Sequence, residues 1–120
     1  MKNIVLLKTK ISNFLIDVNI NLKEGINCFF GPSGAGKTSI INCIAGIIKA
    51  KKSKIIINNK TLEDSNKCIS VPVHKRNIGY VFQDSRLFPH LSIKKNLLYG
   101  FRLNINKRKI FHYDEIISFC

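Results

Sequence analysis

The run Gly31-Pro32-Ser33-Gly34-Ala35-Gly36-Lys37-Thr38 constrains the fold of this chain more than any other feature. Glycine at positions 31, 34 and 36 disfavours a helix or strand interior, because glycine loses the most backbone freedom on ordering. It does allow a tight loop whose successive N–H groups turn inward. Before the loop, Ile26-Asn27-Cys28-Phe29-Phe30 reads as a short buried strand. After it, Ile40, Ile44, Ile47 and Ile48, with Ile41 beside them, fall at helical spacing. The spacing predicts a helix from near Lys37 that closes over 49–53, with Gly46 inside it costing up to about 1 kcal/mol. Strand, glycine loop and helix in that order match the phosphate-loop pattern G-x-x-x-x-G-K-[ST] (Walker A). Its inward amides and the positive end of the helix suit phosphate oxygens. Lys37 adds a mobile cation, and Thr38 offers a hydroxyl to Mg²⁺. The expected nucleotide-binding residues are Gly31, Pro32, Ser33, Gly34, Ala35, Gly36, Lys37, Thr38 and Ser39, and the expected ligands are a nucleoside triphosphate and Mg²⁺, the loop alone leaving kinases, GTPases and transport ATPases open.

The rest of the chain supplies elements around this loop. The residues at 4–7 form an apolar run fit for a strand, and Phe14, Ile16, Val18 and Ile20 alternate with mostly polar neighbours. Turns are expected at Lys23-Glu24-Gly25 and Asn58-Asn59, the second ending a strand over 54–58. Residues 64–74 read as loop, Ile78-Gly79-Tyr80-Val81-Phe82 as another buried strand, and Gln83-Asp84-Ser85 as a polar turn. Ser92 is a suitable N-cap for a short helix through Leu97, Leu98 and Tyr99 that Gly100 can close. Asp114 and Glu115 open a further helical segment over 113–120. The fold class is α/β: a phosphate-loop core with the loop between a central strand and its helix, plus a small antiparallel portion from the N-terminal strands.

With 120 residues the chain is long enough for one domain. No apolar run approaches the ~20 residues of a membrane span, and no secretory leader is visible, so a cytoplasmic location is expected. Cys28, Cys43, Cys68 and Cys120 form no C-x-x-C pair and read as reduced thiols, two of them in apolar surroundings. The net charge of +13 invites an anionic partner. The lysines are spread thinly, however, and the clusters near 49–54 and 107–109 carry no interleaved aromatics, so no nucleic acid is expected.

A second block narrows the class. His74-Lys75-Arg76-Asn77-Ile78-Gly79-Tyr80-Val81-Phe82-Gln83-Asp84, then Leu87-Phe88-Pro89-His90-Leu91-Ser92-Ile93 and Asn96-Leu97-Leu98-Tyr99-Gly100, resembles the Q-loop region of ABC transporter nucleotide-binding subunits. The resemblance is to the branch that serves binding-protein-dependent importers. The phosphate loop, continued by Thr38-Ser39-Ile40-Ile41-Asn42 and Ile44-Ala45-Gly46, is similar to that family's opening. Leu62-Glu63-Asp64-Ser65 and the run from Arg86 to Ser92 are most similar to molybdate importers. The likeness runs from about residue 15 to 100.

That likeness implies further roles. Gln83 matches the glutamine that reaches Mg²⁺ and the attacking water and couples the site to the membrane subunit, which makes it both the catalytic and a metal-binding candidate, alongside Thr38. Its amide oxygen suits either task. Leu87-Phe88-Pro89 matches the surface that receives the membrane permease, and a helical subdomain begins near residue 92. Phe14 either stacks on adenine or fills a core strand position. The resemblance also implies a homodimer in the complete protein, attached to the inner face of the cell membrane. The solute is molybdate, or sulfate or another small anion.

Several of the family's parts have no match here. The chain contains no Leu-Ser-Gly-Gly signature and no apolar strand ending in Asp-Glu. Asp114-Glu115 follows Phe111-His112-Tyr113 and is no substitute. His74, His90 and His112 are expected on surfaces or loops rather than in the switch-histidine role. The expectation is therefore an N-terminal fragment that binds MgATP weakly with negligible turnover. Steady hydrolysis that vanished in Lys37→Ala would count against it. A non-catalytic remnant and a small phosphate-loop kinase are the other readings, the kinase disfavoured by the Gln83 block.

Overall fold

Strand alternation near the N-terminus produces an antiparallel sheet. The computed structural model describes residues 1–11, 13–84 and 86–103, with backbone only for the last three, and divides into the units Met1–Tyr80 and Val81–Cys120. In the first unit, β1 (Ile4–Ile11), β2 (Phe14–Asn21), β3 (Lys52–Ile57), β4 (Lys60–Asp64) and β5 (Ile69–Ser70) form one sheet in the order β2-β1-β3-β4-β5. All its pairings are antiparallel. The β3–β4 hairpin turns at Asn58 and Asn59, with φ of 50° and 64°. Asparagine tolerates this left-handed region, and such a two-residue turn matches the twist of the strands it joins. A bulge follows: Glu63 pairs with Ile55 but Thr61 with Ile56, leaving Leu62 as the extra residue.

Helix α1 (Lys37–Ala45) adds Ile40 and Cys43 to a core made with Val5, Leu7, Ile16, Ile55 and Leu62. It is shorter than expected, because Gly46 ends it rather than interrupting it. Gly46 takes φ +83°, its N–H donates to the Cys43 carbonyl, and Ile47 N–H donates to the Asn42 carbonyl at 2.9 Å. These two bonds form the Schellman closure, which satisfies carbonyls that otherwise lack partners.

The runs 26–30 and 78–82, expected as strands, belong to no ladder. Apolar, β-favouring composition suits a strand, but a ladder also needs a neighbour, and among the described residues neither run has one. Ile26, Phe30 and Val81 are accordingly almost fully exposed. Residues 64–74 are more ordered than expected, holding the end of β4, β5 and a 3-10 turn over Val73–Lys75.

In the second unit, α2 (Ile93–Leu103) starts where expected, since Lys95 N–H donates to Ser92 Oγ at 3.3 Å. It runs past Gly100 rather than closing there. The helical segment expected over 113–120 lies outside the described residues.

Of the thiols expected in apolar surroundings, only Cys43 among the described residues is buried, while Cys28 and Cys68 are exposed. Burial, with the Glu63 charge nearby, pushes the Cys43 thiol above its ordinary range. Its proton is therefore held more tightly in the folded chain, so this thiol costs stability as pH rises past the unfolded thiol range near ~8.5. At neutral pH a soluble alkylating reagent should label Cys28 and Cys68 promptly and Cys43 only on unfolding. Peptide mapping by mass spectrometry checks this, and rapid Cys43 labelling in folded chain would contradict it.

Candidate functional site

The phosphate loop occupies the turn between residue 30 and α1. A reverse turn closes it, with Ala35 N–H donating to the Pro32 carbonyl at 3.3 Å. Gly34 and Gly36 both take left-handed φ, +80° and +87°. Gly36 is the residue from which α1 springs, and no side chain caps the helix there. No acidic residue lies in the first turn either. The leading amides of α1 and the positive end of its dipole are thus left to a ligand or water. Lys37 Nζ donates to the carbonyls of Gly31 at 2.7 Å and Pro32 at 2.6 Å, which places its ammonium over the loop's first two residues. Ser33 and Thr38 are exposed, and Ser39 is half-buried.

Phe14 lies at the start of β2, half-exposed, with its ring edge against the loop. A Cβ built on Gly36 would meet Phe14 Cε1 at 2.9 Å. The aromatic candidate and the phosphate loop are therefore brought together. Gln83 is exposed in a bend of the second unit. In that unit Arg86 lies over the Phe82 ring at 4.2 Å, a cation–π contact. Phe88 packs on Tyr99 at 4.6 Å between ring centroids, and its N–H donates to Asn96 Oδ1. Asn96 Nδ2 donates in turn to the carbonyls of Phe88, Leu91 and Ser92. One amide thus fixes the turn that presents Leu87, which is 61% exposed. His74 and His90 are exposed, as expected, and His112 lies outside the described residues.

The site rests on a residue to which sequence reasoning gave no role. Arg76, only 5% exposed, forms an ion pair with Glu63 at 2.6 Å. Its remaining donors go to the carbonyls of Val71, Cys43 and Ile44. Two of these carbonyls end α1, where a cation also complements the helix dipole. Glu63 Oε1 accepts from Ser53 Oγ at 2.8 Å, so both members of the pair are satisfied. Gly46 is required twice here, since a Cβ on it would lie 2.5 Å from Arg76 Nε. An arginine followed by an exposed Asn77 carries no local sign of burial, and its partners lie 5 to 33 residues away.

A family model described as ABC transporter matches residues 15–118. The chain belongs to the ABC transporter family. Its sheet and helices are part of the α/β fold of that family's nucleotide-binding domain. Curated relatives include the molybdenum import ATP-binding protein ModC of Aliivibrio fischeri, 42% identical over 93% of this chain and 30% of the relative. The same-named proteins of Vibrio parahaemolyticus and Escherichia coli are 53% and 40% identical, over 74% and 90% of this chain and 24% and 30% of theirs. The chain spans less than a third of the length of these ABC relatives. Among its described residues no helix is long and apolar enough to cross a membrane.

Proposed function

We propose that this chain provides the phosphate-binding part of the ATP site of a molybdate importer. The observation that carries this reading is the uncapped start of α1, reached through left-handed Gly36, with the Lys37 ammonium held on the carbonyls of Gly31 and Pro32. Backbone amides there suit the β- and γ-phosphates, and Lys37 moves from the loop carbonyls to phosphate oxygens. Mg²⁺ fits a site of this donor character. The described residues hold no cluster of three or more His, Cys, Asp or Glu that could cage a metal. A hard cation carried in on phosphate oxygens and completed by the exposed Thr38 hydroxyl needs no such cage. Gln83 adds an amide oxygen for that cation and for the attacking water. Phe14, at the loop's rim, stacks on the adenine.

In the complete protein these groups serve ATP-driven import. The subunit works as a homodimer on the cytoplasmic face of the membrane, docked to a permease through the Leu87-Phe88-Pro89 turn. Molybdate as the solute is supported by the names of the relatives at 38–53% identity.

Titration of the chain with a fluorescent ATP analogue and Mg²⁺ tests the site. Saturable binding is expected, and Lys37→Ala should weaken it about 10- to 100-fold. That range corresponds to a charge-assisted hydrogen bond of about 1.5–3 kcal/mol. Absence of binding by folded chain, or equal binding by Lys37→Ala, would remove the reading.

A further inference from the structure

The segment leading toward Gln83 is fastened to the helix that opens from the phosphate loop. It is held by side chains, not by a strand ladder. Arg76, Ile78 and Tyr80 turn inward while Asn77 and Gly79 are exposed. Arg76 Nη1 donates to the Ile44 carbonyl at 2.8 Å and the Cys43 carbonyl at 3.2 Å. Ile78 packs against the core cluster. Tyr80 Oη donates to Asn42 Oδ1 at 2.6 Å. The segment's polar attachments to α1 therefore fall on one stretch, Asn42 to Ile44, at the end of that helix.

That end is joined to the helix start by a short, continuous run of helix. α1 has nine residues, about 13 Å of hydrogen-bonded backbone. The carbonyl of Asn42 also accepts from Ile47 and Ile48, so the residue that holds Tyr80 is itself tied into the helix closure. A ligand that orders the leading amides of α1 orders Asn42 with them. Tyr80 is the last residue of the first unit, the point from which the chain departs toward Gln83.

We propose that Tyr80, through its hydroxyl bond to Asn42, is a positioning residue that transmits occupancy of the phosphate loop to the segment entering the Gln83 turn. The proposal rests on the nucleotide-site reading above. It assigns Tyr80 no contact with nucleotide. Arg76 holds the same segment but also supports the core, so its loss cannot separate transmission from folding. Tyr80→Phe removes one oxygen atom and leaves the ring in place.

Hydrogen exchange on the full chain, read by mass spectrometry with and without MgATP, tests it. In the unsubstituted chain MgATP should slow exchange both in α1 and over residues 78–82. Tyr80→Phe should keep its affinity for MgATP and the protection of α1. Its ligand-dependent protection over 78–82 should fall by about threefold or more, as loss of one neutral hydrogen bond allows. Asn42→Leu should reproduce this loss, and Asn42→Asp, which keeps an acceptor, should restore the protection. The Asn42 pair makes the same comparison if Tyr80→Phe does not fold. Unchanged protection over 78–82 in Tyr80→Phe and Asn42→Leu would overturn the proposal. So would a parallel fall in affinity and α1 protection, which marks a merely structural bond. Failure of the unsubstituted chain to bind MgATP would instead overturn the nucleotide-site reading, and the transmission role with it.

Discussion

Arg76→Ala should destabilise the first unit by about 3–5 kcal/mol, the usual cost of leaving one member of a buried ion pair without its partner. The substitution strips Glu63 of its counter-charge at a site only 6% exposed. It also removes the donors that serve the carbonyls of Val71, Cys43 and Ile44. Against the roughly 5–15 kcal/mol that holds a typical domain together, the expected loss leaves a substantial unfolded population. Urea denaturation followed by circular dichroism measures it. Replacing both members, Arg76→Met with Glu63→Leu, should recover part of the loss, because apolar side chains of similar volume leave no charge unpaired. A shift below about 1 kcal/mol in Arg76→Ala would show that water reaches Glu63 and that the pair is not a buried one.

Gly36→Ala should lower MgATP affinity at least tenfold with a smaller effect on folding. Two causes act together. Alanine in the left-handed region costs roughly 1–2 kcal/mol, and Gly36 has φ +87°. The new methyl would also meet Phe14 Cε1 at 2.9 Å and Ile16 Cγ1 at 3.6 Å. Relief requires the loop to turn away from its present path, which re-aims the first amides of α1. The double substitution Gly36→Ala with Phe14→Ala removes the collision but keeps the backbone strain and takes away the proposed adenine-stacking ring, so it should recover stability while affinity stays low. Gly79→Ala is the control, because that glycine has no positive φ and open space around it. The same nucleotide titration reads all three. Equal affinity in Gly36→Ala would show that the phosphate loop does not need its present backbone.

The parts of this molecule that were legible in its sequence are those set by neighbours along the chain. Alternation from Phe14 to Ile20 marked β2, Asn58-Asn59 marked the turn between β3 and β4, and the glycine pattern marked the loop and the start of α1. Gly46 was misread because Ile47 and Ile48 continue the apolar spacing beyond it. Spacing alone cannot register that a glycine has gone left-handed. The runs 26–30 and 78–82 have the composition of buried strands, but hydrogen-bonded pairing is a property of two segments, and composition describes one. For the site, the residues of the loop were readable as a set. Phe14 was recognisable as an aromatic candidate, but its position against Gly36 depends on how the sheet meets α1. The Arg76 network was invisible for the same reason, since its partners come from β4, the loop after β5 and the end of α1.

Glycines bound α1 at both ends, Gly36 before it and Gly46 after it, and this makes its length a fixed quantity. One residue inserted between Thr38 and Ile41 would turn everything beyond it by about 100° around the axis. Asn42 would rotate away from Tyr80, and the terminal carbonyls away from the guanidinium. A homologue or designed variant that gains or loses a residue within this helix must therefore rebuild its far end as well.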